Sequence, residues 1–209
     1  LDKDKFVLSK GWAAASLYYF LWRKGRITED ELNSYCKEGS KFIGLSEAII
    51  PEIPFSAGSM GLGLPAAVGF ALSKKLNGED GKIYVLMSDG ELQCGTTWES
   101  ALIAAQHKLN NLVVIIDANS FQAMGKIDEI LKIEPLQDKW GAFGWASFEV
   151  DGHDAGQLNL ALGFELSKPS VIIARTIKGK GVSFMENNND WHYRNIDKES
   201  YELAQQELR

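Results

Sequence analysis

The sequence has little cysteine, no long apolar run and no excess of positive charge. Its two cysteines among 209 residues are Cys36 and Cys94, which excludes a disulfide framework and favours a reducing compartment. No apolar run approaches the roughly 20 residues that a membrane-spanning helix needs. The net charge of −6 disfavours non-specific binding to nucleic acid. We therefore expect a cytoplasmic protein that binds neither membranes nor nucleic acids.

The amino-terminal end has no pattern of a signal peptide, because charged residues follow Leu1 at once. The first residue is not methionine, so the segment upstream of Leu1 is left open. Hydrophobic residues make up 45% of the chain and charged residues 24%, a balance typical of a globular protein and not of a disordered one. One domain over residues 1–209, with a polar tail from about residue 187, is the simplest interpretation.

Short apolar runs alternate along the chain with helical patterns, which predicts an α/β fold. The fold class is a mainly parallel sheet with helices on both faces. Apolar runs bounded by polar residues predict buried strands at 83–87, 112–116, 146–150 and 170–174. Helices are predicted at 17–22, 29–37, 65–76, 98–107 and 155–166. A capping box formed by Thr28 and Glu31 begins the second of these helices.

Two predicted strand ends carry oxygen ligands that suit a metal ion. Asp89 and Gly90 follow the strand at 83–87, and Asn119 follows the strand at 112–116. Ligands bind at the carboxyl ends of the strands in open parallel sheets. If these strands are neighbours, the carboxylate and the amide oxygen face one site, and such oxygens suit Mg²⁺ together with phosphate. A glycine-rich turn at 56–63 that enters a helix supports a metal–diphosphate site.

The run from Asp89 to Asn119 resembles the thiamine diphosphate motif, which begins Gly-Asp-Gly and ends in Asn. The flanking sequence DGELQCGTTWE at 89–99 is similar to the signature of transketolases. Further segments match that family in the same order, at 6–11, 57–63, 142–145, 151–153, 176–181 and 191–192. The resemblance covers nearly the whole chain but only the first, diphosphate-binding domain of a transketolase.

The resemblance implies thiamine diphosphate and Mg²⁺, or Ca²⁺, as cofactors. The metal would be held by the side chains of Asp89 and Asn119 and by the main-chain carbonyl of Phe121. The cofactor-binding residues that it implies are Trp12, Gly58, Ser59, Met60, Gly90, Glu91, Asn119, Lys178 and His192. Lys178 and His192 would bring basic groups to the diphosphate, and His192 is also the candidate catalytic residue.

The implied function is that of the amino-terminal subunit of a split transketolase. Such an enzyme transfers a two-carbon ketol, or a related acyl-anion unit, from a ketose-type donor to an aldehyde or ketone, with the cofactor as electron sink. The glutamate that activates the cofactor belongs to the family's pyrimidine-binding domain. A separate pyrimidine-domain subunit is therefore expected, in an α2β2 assembly. The alternatives are an α-subunit of a 2-oxoacid decarboxylating enzyme and a non-catalytic cofactor-binding subunit.

Three residues depart from the transketolase pattern. Trp12 stands where the family has a histidine after Ser-Lys-Gly, and Leu45 lies in a loop without the family's His-Pro pair. Cys94 replaces a glutamate that, with the residue matching Glu99, belongs to the family's dimer interface. Because indole and leucine side chains make a pocket more apolar, we expect a specialised sugar-type substrate instead of an ordinary pentose phosphate.

Overall fold

The computed structural model describes residues 3–209, which contain a five-stranded parallel sheet and a small antiparallel hairpin. The strand order in the main sheet is β1-β2-β3-β7-β6, and β4 pairs with β5. The strands are β1 (Lys5–Leu8), β2 (Ile83–Ser88), β3 (Leu112–Ala118), β4 (Phe121–Gln122), β5 (Gly125–Lys126), β6 (Ala146–Asp151) and β7 (Ser170–Arg175). All four predicted strands are confirmed. The strand β1 was not predicted, because it has only four residues and begins with an exposed lysine.

The helices lie between and after these strands. They are α1 (Ala14–Arg23), α2 (Glu29–Asn33), α3 (Gly63–Asn77), α4 (Gly95–Gln106), α5 (Ile127–Ile130), α6 (Leu136–Ala142), α7 (Ala155–Leu162) and α8 (Lys198–Glu207). Short 3₁₀ helices occur at Gly11–Ala13, Asp89–Gln93 and Asn189–His192. Within residues 3–209, no helix combines the length and the hydropathy that crossing a lipid bilayer requires.

Helices cover both faces of the sheet, as the alternating pattern predicts. Apolar side chains of α3, α4 and α6 pack on one face against alternate residues of β2, β3 and β7, such as Val85, Val114 and Ile173. The residues between them, such as Val113 and Ile172, face α7 on the other side. The first connection forms a separate small core around Tyr18 and its neighbours in space. The sheet is thus a rigid base buried on both sides.

Several predicted helix bounds are wrong by a few residues. α2 ends at Asn33 instead of residue 37, and Cys36 takes a left-handed φ of 55° that a helix cannot continue through. α7 ends at Leu162 because Gly163 follows, and glycine is a poor helix former. The helix predicted at 17–22 lies within α1 but is only partly buried, since 61% of Phe20 is exposed. The polar tail contains α8.

The register of the sheet aligns the carboxyl ends of its strands. Leu8 of β1 pairs with Leu86 of β2, and Ser88 pairs with Asp117 of β3. Because β2 and β3 are neighbours, the loops that follow them leave the same edge side by side. The condition on which the predicted metal site depended is therefore met.

Candidate cofactor site

Asp89 lies at the carboxyl end of β2, where a 3₁₀ helix begins, and only 2% of the residue is exposed. One of its carboxylate oxygens accepts a hydrogen bond from the main-chain N–H of Gly90 at 2.9 Å, and the other accepts one from Ser120 at 2.6 Å. The second bond crosses from β2 to the loop after β3. The two strand ends are therefore joined at Asp89.

The surroundings of Asp89 make its negative charge costly. Burial, together with the nearby charge of Asp117, raises the pKa of Asp89 to about 6, although two backbone N–H groups and the charge of Lys10 act in the opposite direction. A divalent cation beside the carboxylate would offset this cost. The chemistry and burial of this group fit a metal ligand.

The loop after β3 makes a tight turn that brings its polar groups to Asp89. The side-chain oxygen of Asn119 accepts a hydrogen bond from the main-chain N–H of Phe121 at 3.0 Å. Ser120 takes a left-handed φ of 68°, a conformation that few residues other than glycine adopt. This turn directs the Ser120 N–H towards Asp89. Asn119 and Phe121, the other predicted metal ligands, are the residues on either side of Ser120, which contacts Asp89 directly.

Glu91 is buried and its carboxylate bonds to the protein itself. One oxygen accepts hydrogen bonds from the hydroxyl of Ser9 and the main-chain N–H of Gly61, the latter at 3.1 Å. The other oxygen accepts one from the main-chain N–H of Ser88 at 2.9 Å. Glu91 therefore fastens the ends of β1 and β2 to the glycine-rich turn. The direct contact of Glu91 with a cofactor stays a prediction. The Ser-x-x-Glu spacing of Ser88 and Glu91, which is typical of a capping box, could have indicated this structural role from the sequence.

The glycine-rich turn packs against the loop after β1. A β-carbon added to Gly11 would lie 2.6 Å from the carbonyl oxygen of Ala57 and 2.7 Å from the α-carbon of Gly58, so this close approach requires glycine. Ser59 and Met60 of the turn are exposed. The sulfur of Met60 lies 4.0 Å from where a β-carbon of Gly90 would stand. The structure thus brings the predicted residue Met60 next to Gly90.

The two apolar departures from the transketolase pattern lie beside this turn. The side chain of Leu45 comes within 3.0 Å of the position of a β-carbon on Gly58. Trp12 follows Gly11 and is 69% exposed, and its ring lies 3.8 Å from the position of a β-carbon on Gly44. Trp12 and Leu45 therefore border the same space as the glycine-rich turn.

Lys178 and His192 approach the site from the carboxyl-terminal side. Burial and the positive charge of Lys10 lower the pKa of Lys178, against the charges of Asp117 and Asp89. The pKa of His192 is lowered by the protein that covers part of its ring and by the charges of Lys178 and Lys10. Lys178 therefore interacts electrostatically with Asp89 and Asp117, and His192 with Lys178 and Lys10.

Contacts outside the predicted set hold these basic residues in place. The Nε2 atom of His153 accepts a hydrogen bond from the main-chain N–H of Ile177 at 2.8 Å, so the neutral ring carries its proton on Nδ1. Asn189, three residues before His192, donates a side-chain hydrogen bond to the carbonyl of Ala123 at 3.2 Å. His153 had no predicted role, although the matching segment 151–153 marked its position.

Cys94 packs against Gly61 of the glycine-rich turn. Its β-carbon is 2.7 Å from where a β-carbon of Gly61 would stand, and Gly61 has a φ of 78°. Burial and the charge of Glu91 raise the pKa of the Cys94 thiol, which keeps it protonated and unreactive. Glu99 is exposed on α4.

A parallel α/β sheet with carboxylate and amide oxygens, close-packed glycines and basic side chains at its carboxyl edge is typical of proteins that bind phosphate-containing ligands. The family model described as "Transketolase, thiamine diphosphate binding domain" matches residues 1–208. The chain belongs to this family.

Relatives of known name agree with the family. The chain is 41% identical over 211 residues to a protein of Actinobacillus succinogenes named as a subunit of apulose-4-phosphate transketolase, covering 100% of this chain and 76% of that protein. It is 35% identical over 211 residues to the 6-deoxy-6-sulfo-D-fructose transketolase subunit SqwG of a Clostridium species. That match covers 99% of this chain and 77% of the Clostridium protein. The crystal structure of transketolase from Campylobacter jejuni has a TM-score of 0.93 and 31% identity, covering 98% of this chain and 34% of that one.

Proposed function

We propose that this protein is the amino-terminal subunit of a split transketolase that works with a separate pyrimidine-domain subunit. The observation that carries the proposal is a difference in coverage. The chain spans about three quarters of relatives named as transketolase subunits but only about a third of the Campylobacter jejuni transketolase chain. The proposed reaction is the transfer of a two-carbon ketol, or a related acyl-anion unit, to an aldehyde or ketone acceptor.

The residues at the carboxyl edge fit thiamine diphosphate with Mg²⁺ or Ca²⁺. Asp89, Asn119 and the carbonyl of Phe121 would hold the metal ion, while Gly90 would let the diphosphate approach the main chain closely. The close packing of Gly11 on Ala57 and Gly58 supports this assignment, because it holds the glycine-rich turn against the loop after β1. When bound, the cofactor supplies the electron sink for breaking and forming the carbon–carbon bond.

The basic residues of the site would serve the diphosphate and the substrate. Lys178 would bind the diphosphate as a cation, in a segment that His153 holds through Ile177. His192 is the candidate catalytic residue, and its lowered pKa favours a neutral ring that can accept or donate a proton near neutral pH. Ser59 and Met60 would border the thiazolium ring. Two free thiols, Cys36 and Cys94, are consistent with a cytoplasmic location.

We expect thiamine diphosphate and Mg²⁺ to bind tightly only when the pyrimidine-domain subunit is present. The exposed apolar side chains of Trp12 and Met60 fit a site completed by a second chain, and an α2β2 assembly would provide it. Titration calorimetry on this chain alone and then with a pyrimidine-domain subunit from the same source measures the difference. Tight binding by the chain alone would contradict a shared site, and absence of binding in both cases would favour a non-catalytic subunit.

The activity assay separates the two enzymatic alternatives. The assembled enzyme should form a new ketose from a ketose donor and an acceptor aldehyde. Decarboxylation of a 2-oxoacid without transfer to the aldehyde would instead assign the α-subunit of a decarboxylating enzyme. The relatives named as transketolase subunits favour the first outcome.

Trp12 is proposed to restrict the substrate to specialised sugar-type compounds. Its indole has a single N–H donor and no acceptor, and the side chain of Leu45 has neither, where the family has histidines. Both residues border the glycine-rich turn. Replacing Trp12 with histidine should raise kcat/KM for ordinary, more hydroxylated ketose donors by about tenfold relative to the preferred donor. A donor competition assay measures this ratio. An unchanged ratio would mean that Trp12 does not line the substrate pocket.

A further inference from the structure

Lys10 lies at the end of β1 among the charged groups of the candidate site. We propose that Lys10 is a third cation that binds the diphosphate of the cofactor, and that Asp117 and Thr176 position it. This inference rests on the proposed function, because it assigns a further residue to the same site. Lys178 and His192 follow β7 in the chain, whereas Lys10 follows β1.

The main chain fixes where Lys10 leaves the sheet. The N–H of Lys10 donates to the carbonyl of Leu86 in β2 at 3.1 Å, so the pairing of the two strands continues past the end of β1. The ammonium group of Lys10 then crosses β2 and forms an ion pair with Asp117, near the end of β3. Their side chains are 26% and 24% exposed, which leaves part of each open to the cleft.

Asp117 is itself anchored on both sides. Its second carboxylate oxygen accepts a hydrogen bond from the hydroxyl of Thr176, the first residue after β7. Burial raises the pKa of Asp117, but the charge of Lys10 and the hydrogen bonds to it outweigh this effect, and the pKa lies below its ordinary value. The ends of β1, β3 and β7 are therefore linked through one carboxylate, which fixes the position of Lys10.

Lys10 shares its surroundings with the other basic residues. Its charge contributes to the lowered pKa values of both Lys178 and His192, and it also acts on Asp89. Within residues 3–209, Asp117 is the hydrogen-bond partner found for the ammonium group. An ammonium has three N–H donors, so two remain for a ligand.

This arrangement suits an anion of high charge. Cations placed close together repel one another, and a diphosphate between them would replace that repulsion with charge-assisted hydrogen bonds. Asp89 and Asp117 balance two of the positive charges, and a metal ion at Asp89 would restore the positive excess that a diphosphate needs. The free donors of Lys10 therefore suit a ligand that carries both negative charge and several oxygen acceptors.

The test measures binding to this chain assembled with its pyrimidine-domain subunit, with Mg²⁺ in excess. Lys10→Gln removes the charge but keeps an N–H donor for Asp117. Titration calorimetry should show the Kd of thiamine diphosphate and that of inorganic pyrophosphate both raised about tenfold or more. Lys10→Arg should return both values to within about threefold of wild type. Circular dichroism without ligand should show the same folded structure in all three proteins.

The matched control is Lys82→Gln. Lys82 precedes β2 at the opposite end of the sheet and forms a surface ion pair with Glu165 at 2.8 Å, so the change removes one lysine and one ion pair away from the site. Both Kd values should stay within twofold of wild type. A similar loss of binding in this variant would show a general effect of net charge and would overturn the role of Lys10.

The remaining outcomes separate this inference from the proposed function. Normal binding of both ligands to Lys10→Gln would overturn the inference and leave the proposed function intact. A weakened thiamine diphosphate complex with unchanged pyrophosphate binding would also overturn it, because Lys10 would then act elsewhere on the cofactor. Failure of the wild-type assembly to bind either ligand would overturn the proposed function. If Lys10→Gln does not fold, the variant Thr176→Val tests the inference, because it removes the hydroxyl that holds Asp117. Both Kd values should then rise about threefold, and unchanged values would overturn the inference.

Discussion

Replacing Asp89 with alanine is expected to abolish Mg²⁺-dependent binding of thiamine diphosphate, raising its Kd at least about 100-fold. Asp89 is the one proposed metal ligand with a carboxylate, the oxygen ligand that Mg²⁺ prefers, so its loss would remove the strongest protein ligand of the metal that the diphosphate needs. The change also removes the acceptor of the Ser120 N–H, which frees the loop that carries Asn119 and Phe121. Titration calorimetry with the pyrimidine-domain subunit, with and without Mg²⁺, measures the effect.

The control for this experiment is Asp138→Ala. Asp138 is an exposed carboxylate on α6, so its loss lowers the negative charge by the same amount without touching the site. The Kd of thiamine diphosphate for Asp138→Ala should match that for the wild-type protein. If Asp89→Ala kept the wild-type Mg²⁺ dependence, the assignment of Asp89 as a metal ligand would be refuted.

Replacing Glu91 with glutamine should destabilise the protein by about 2–4 kcal/mol. Both carboxylate oxygens accept hydrogen bonds, and the amide group of glutamine offers one oxygen and one donor. A main-chain N–H of Gly61 or Ser88 would then lose its acceptor inside the protein, which costs about 1–3 kcal/mol, and would face another donor. The melting temperature should fall by roughly 5–10 °C. Differential scanning calorimetry without cofactor measures it.

Glu38→Gln provides the matched control, because Glu38 is exposed and exposed substitutions change stability by less than about 0.5 kcal/mol. The Glu91 variant should also bind the cofactor more weakly, since the glycine-rich turn loses its attachment to the end of β2. An unchanged melting temperature would show that the hydroxyl and N–H donors find other partners. Glu91 would then have no structural role of the kind the contacts indicate.

The sequence determined the fold class and the location of the site. Apolar runs bounded by polar residues predicted β2, β3, β6 and β7, because a strand buried on both faces needs apolar side chains throughout. The positions of Asp89 and Asn119 directly after two such strands predicted that their loops lie side by side, since the carboxyl ends of parallel strands share one edge. The metal that these residues are proposed to hold stays a prediction. These features depend on residues near one another in the chain, and the resemblance to transketolases supplied the cofactor.

Only the tertiary structure decided which side chains at that edge of the sheet form hydrogen bonds with one another. Glu91, whose contact with the cofactor stays a prediction, accepts a hydrogen bond from Ser9 across 82 positions. Lys10 meets Asp117 across 107 positions and Thr176 meets Asp117 across 59. No local pattern reveals such pairs, because they depend on the strand order and register that bring distant loops together. Local sequence therefore indicated where polar groups gather, while the packing of the sheet decided which of their hydrogen bonds link distant loops.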